Sequence, residues 1–119
     1  MKKGIIALTV SFLAVSAAAQ QPVSADRFAD AVNHWNKEHG AQTYERYKPD
    51  RFREIADNIV AYQNADGGWP KNLDMLARLD PDSVKAALKP RHRLSTLDNA
   101  NVYTQVEYLS NVYLLTGDT

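Results

Sequence analysis

Phe52-Arg53-Glu54-Ile55-Ala56-Asp57-Asn58-Ile59-Val60-Ala61-Tyr62 is the stretch that decides the fold class. Phe52, Ile55, Ile59 and Tyr62 recur at steps of three, four and three, which places them on one face of a helix. Asp50 stands ready as a cap before the run. Gly67-Gly68 follows it as a stop, and Pro70 blocks an easy continuation. Working outward, the same periodicity returns twice. Ser24 can cap an earlier helix that carries Phe28, Val32 and Trp35 on one face and stops at Gly40. A last helix begins near Asp98 or Asn99, with the apolar stripe Val102, Val106, Leu109 and Tyr113, and ends at Thr116-Gly117. Leu73 to Leu79 reads as a short helix broken by Asp80-Pro81-Asp82. Ser83 to Leu88 reads as another turn or two, and Pro90 to Arg93 as a basic loop. No alternating strand pattern is present, so the expected class is all-α.

The N-terminus reads as an export signal. Lys2 and Lys3 precede the apolar run from Gly4 to Val15, and Ala17-Ala18-Ala19 supplies a peptidase site. Cleavage near Ala19 leaves a mature chain of about Gln20 to Thr119, secreted or periplasmic, with 12 basic against 14 acidic side chains, a net charge of −2. That balance does not point to nucleic acid. No later stretch is long and apolar enough to span a membrane. The chain has no cysteine, so disulfides and a lipobox are excluded and packing alone must hold the fold.

Two connections carry the unusual residues. In Asp66-Gly67-Gly68-Trp69-Pro70-Lys71-Asn72, the glycines allow a sharp turn, Trp69 offers a flat face for a sugar ring, and Lys71 offers a point charge for a carboxylate. The same residues would also make a plain helix stop with the tryptophan folded into the core. In Ser95-Thr96-Leu97-Asp98-Asn99, a carboxylate and an amide oxygen side by side suit calcium, but the stretch equally reads as a helix N-cap. His34, Glu38 and His39 do not make a zinc site, because residues five apart do not share a helix face. Arg91-His92-Arg93 is a solvated basic cluster that could meet an anionic polymer. No Ser-His-Asp set, Walker loop or dinucleotide fingerprint is found.

Taken together, the stretch from Ala56 to Gln63, the block Asp66 to Asn72, and Ser95 to Asn99 with Tyr103-Thr104-Gln105 resemble the opening part of polysaccharide lyase family 10, the pectate lyases. The resemblance covers about Arg51 to Thr119. A Gln-x-x-x-Gly-Gly-Trp stretch also resembles the repeat of terpenoid cyclases, but Pro70-Lys71-Asn72 and the second block favour the lyase. Where the family pattern expects Gly-Ala-Thr after Asp-Asn, this chain has Ala100-Asn101-Val102.

The resemblance implies an incomplete α/α toroid, of which residues 20–119 are the N-terminal part. It implies cleavage of polygalacturonate (pectate) by calcium-assisted β-elimination, in an enzyme that is monomeric when complete. Asp98 matches the aspartate expected at the catalytic or calcium centre. Asn99, Lys71 and Trp69 match substrate-binding positions, with Trp69 either supporting its loop or stacking on sugar. The base, an arginine in this family, is expected downstream of Thr119, so this chain alone is expected to be an inactive fragment. The competing readings are a non-catalytic helical carbohydrate-binding or interaction module, and a glycoside hydrolase on a related helical toroid. A hydrolase normally needs a second carboxylate across the cleft.

Overall fold

The α2 helix (Phe52–Tyr62) is the organising element, with Phe52, Ile55, Ala56, Ile59 and Tyr62 all buried. The computed structural model describes residues 23–40 and 44–118. Within these, α1 (Ala29–His39) follows a 3-10 turn at Asp26–Phe28, and α3 (Pro81–Ala87) and α4 (Tyr103–Thr116) lie after α2. Further 3-10 turns occupy Pro90–His92 and Asp98–Ala100. The regular structure of the described residues is therefore all-α. The export signal and its cut site lie outside the described residues.

Each side chain of the Phe52–Ile55–Ile59–Tyr62 stripe contributes on the order of 1.5–3 kcal/mol by leaving water, and α2 presents them to α3 and α4. Phe28 and Tyr108 meet edge to face at 5.4 Å, which ties the lead-in to α1 onto α4. Burial pushes the Tyr108 hydroxyl up to about 12. Gly40, at φ 81°, stops α1 as expected.

Several local expectations are corrected. Asp50 does not cap α2. It lies in a turn closed by the Arg51 amide on the Lys48 carbonyl, and Arg51 takes the N-cap position without a side-chain bond. Leu73 to Leu79 is not a helix. The buried Asp74 carboxylate accepts from Arg46 Nε at 2.6 Å and Tyr44 at 3.0 Å, and from the Leu76 amide at 3.0 Å. The freed backbone then pairs with the 45–47 stretch, Tyr47 donating to Leu76 and Arg78 to Glu45. Asp80-Pro81 starts a helix instead of ending one. The Asp80 carboxylate accepts from the Ser83 amide, and Pro81 sits where a missing N–H costs nothing.

Half of the stripe expected for α4 is corrected. Val102 and Leu109 pack against the core, but Val106 and Tyr113 are about half exposed, and the buried residues are Thr104, Gln105, Tyr108 and Val112. Gly117, in the left-handed region, ends α4 with its amide on the Tyr113 carbonyl.

Candidate functional site

Asn64 folds the first loop back on itself, its amide donating to the Gly68 carbonyl and its carbonyl accepting from Gly67. Gly67 has φ +86°, a conformation that favours glycine. The Asp66 carboxylate closes the turn on the Gly68 amide at 2.9 Å. A hydrogen bond from the Ser95 hydroxyl, then the Gly68 amide, holds the Asp66 carboxyl below its ordinary value.

The second loop is pinned onto the first. Ser95 Oγ donates to Asp66 at 2.7 Å and accepts from Asn64 at 2.9 Å. The Thr96 amide and the Asn101 side chain both donate to the Trp69 carbonyl, at 3.2 and 2.6 Å. Asn101 also donates to the Thr96 carbonyl and accepts from Gln105. Gly68 is needed here for closeness. A Cβ at that position would lie 2.6 Å from Ser95 Cβ and 2.7 Å from its hydroxyl oxygen. Gly68→Ala is therefore expected to destabilise the protein by about 1–3 kcal/mol, as overpacking does. Urea denaturation checks this, with partial recovery expected in the Gly68→Ala/Ser95→Gly double variant. Unchanged stability of the single variant would mean that the loops are not this close.

The result is a corner in which Lys71 and Asp98 form an ion pair, both side chains exposed. The Lys71 hydrogen bond, then its charge, holds the Asp98 carboxyl below its ordinary value. Lys71→Ala is expected to raise the Asp98 titration midpoint toward the usual carboxylate range, as read by carboxyl-carbon NMR. An unmoved midpoint would show that the pair does not form in solution. Asp98 Oδ1 also accepts from the Asn99 amide at 3.0 Å. Asn99, Lys71, Asn101 and Gln105 line one small hollow beside Arg27 and Thr104.

Asp98 does not cap a long helix. It opens the 3-10 turn, and α4 starts beyond Val102 with no side-chain cap. Asn99, Ala100 and Val102 all have positive φ, at 57°, 55° and 72°. Such residues cost on the order of 1–3 kcal/mol each and tend to occur where surrounding contacts over-determine the backbone. Here the Asn101 amide, locked between Trp69, Thr96 and Gln105, is that restraint. Of the three residues that depart from the Gly-Ala-Thr pattern, Ala100 and Val102 take positive φ, while Asn101 between them is extended at φ −58° and ψ 153°.

Trp69 is corrected as a sugar-stacking surface. Its ring is 2% exposed, and its indole N–H donates to the Ile59 carbonyl at 2.7 Å. Of its two expected roles, only support of the loop is open to it. Asn64, Asn101 and Gln105 were not singled out as site-building residues from the sequence. Gln105 falls in the Tyr103-Thr104-Gln105 block and Asn101 in the departure Ala100-Asn101-Val102, whereas Asn64 carries no signal of its own.

For calcium, the donor chemistry at Asp98 and Asn99 is suitable, being carboxylate and amide oxygen, but such an ion takes six to eight oxygens. Among the described residues, no group of three or more His, Cys, Asp or Glu side chains could hold a metal. Asp98 with Asn99 therefore supplies only part of such a site. No family model, curated protein or solved structure matches the chain.

Proposed function

We propose that this chain contributes the Lys71–Asp98 corner of the substrate cleft of an exported pectate lyase built on an α/α toroid. The observation that carries the reading is the convergence of the two motif blocks, 27 residues apart along the chain, on one exposed ion pair. The exposed apolar residues of α4, Tyr103, Val106, Tyr113, Leu114 and Leu115, are what a helix in a closed ring offers its neighbours.

In β-elimination a base takes the C5 proton of a galacturonate, the C4–O bond breaks, and a C4=C5 double bond remains while the leaving oxygen is protonated. The proton becomes acidic enough only when the adjacent carboxylate is neutralised. Lys71 offers its ammonium to a uronate carboxylate. Asp98 orients Lys71 through their ion pair, and Asn99 offers an amide to a sugar hydroxyl or the same carboxylate. Calcium, held by Asp98 with ligands from outside this corner, would add further charge neutralisation. The base is expected from an arginine outside these 119 residues.

The test is an assay of the naturally exported protein on polygalacturonate, with and without a calcium chelator. Calcium-dependent release of unsaturated uronate is the expected result. Saturated reducing ends would instead mean a hydrolase, and binding without any product a non-catalytic module.

A further inference from the structure

A second groove continues from the same corner, since Lys71 and Asn72 line both hollows. It runs between the C-terminal half of α1 and the 91–96 stretch. All three histidines of the chain, His34, His39 and His92, line it, together with Lys71 and Arg91. Among the described residues, the acid on its lining is Glu38.

His39 is held as a flat surface. Its imidazole stacks on Trp35 at 3.8 Å between centroids and 18° between planes, and its Nδ1–H donates to the Trp35 carbonyl at 3.2 Å. Trp35 is 7% exposed, so the groove is offered the exposed imidazole braced by a buried indole. Nearby, Leu94 is 69% exposed and adds an apolar surface. Arg91 Nε donates to His92 Nε2 at 3.1 Å, which fixes His92 as a neighbour of the guanidinium, and among the described residues the other guanidinium nitrogens carry no hydrogen bond.

We propose that this groove is a binding subsite for an acidic sugar residue, flanking the Lys71–Asp98 corner; it rests on the lyase reading and extends it along the polymer. A flat ring beside an exposed leucine suits the CH face of a pyranose. A guanidinium with an imidazole beside it suits a carboxylate, which arginine grips through two parallel N–H bonds. A neutral sugar would have no use for Arg91.

The experiment is affinity electrophoresis of the exported protein through gels containing polygalacturonate, neutral galactan or single-stranded DNA, with helix content checked by circular dichroism. Arg91→Ala/His92→Ala is expected to weaken retention by polygalacturonate about tenfold, a typical loss for a charge contact, and Arg91→Lys/His92→Ala to lose less. His39→Ala is expected to weaken it severalfold, and His39→Phe, which keeps the flat face, to restore it. Wild-type affinity in the double alanine variant overturns the subsite, as does equal retention by galactan or stronger retention by DNA. The two readings fail separately. Unsaturated uronate production with unaltered binding in all variants sinks the groove and leaves the lyase. Retention lost in the variants of a protein that never forms the product sinks the lyase and leaves an acidic-sugar site.

Discussion

Trp69→Ala is expected to bring the protein close to global unfolding. Removing a fully buried tryptophan costs about 3–5 kcal/mol in lost transfer energy and cavity formation. A second loss adds to it. The Gln63 amide turns back to the Val60 carbonyl, so the Ile59 carbonyl at the end of α2 depends on the Trp69 indole N–H. Leaving that carbonyl unpaired in the core costs about 1–3 kcal/mol more. Single domains hold only about 5–15 kcal/mol in total. Trp69→Phe should cost less, because it keeps most of the apolar contact and loses only the hydrogen bond. Urea denaturation followed by far-ultraviolet circular dichroism measures both. A Trp69→Ala protein of unchanged stability that binds polygalacturonate poorly would reverse the assignment and return Trp69 to a sugar-stacking role.

This tryptophan also marks where local reading of the sequence stops. Gly67-Gly68-Trp69 shows a turn followed by a flat ring, but whether the ring faces sugar or core depends on α2, which presents Ile59 to it. The α2 stripe itself was legible, because Phe52, Ile55, Ile59 and Tyr62 are apolar while the opposite face carries Arg53, Asp57 and other tolerant residues. The α4 stripe was legible only at Val102 and Leu109, because that helix is apolar on two sides. Thr104, Gln105, Tyr108 and Val112 turn inward, two of them polar, because the Asn101 amide draws Gln105 into its network. Leu73 to Leu79 misled for a related reason. Its apolar content suits a helix, and the partner that decides otherwise, Arg46, lies 28 residues earlier. Both loops of the candidate site stood out by composition. Their mutual contact did not, since it rests on Ser95 and Asn64, residues that make ordinary turns when read alone.

Asp98→Ala is expected to abolish most turnover of polygalacturonate while leaving the fold intact. The side chain is more than half exposed, and its contacts are the Lys71 ammonium and the adjacent Asn99 amide. It closes no helix, so its removal leaves the start of α4 as it was. Exposed pairs of this kind hold little of a fold together. In the proposed reaction the same carboxylate orients Lys71 toward the uronate and would supply one ligand to calcium. Loss of one pre-organised electrostatic group at a reacting centre lowers kcat on the order of 100-fold or more. Asp98→Asn keeps the shape and the bond to the Asn99 amide but loses the charge, so it should fall nearly as far. The measurement pairs the rate of unsaturated uronate formation by the protein with its melting temperature. A variant that melts early yet turns over pectate at the wild-type rate would make Asp98 a structural residue of the turn and remove it from the chemistry.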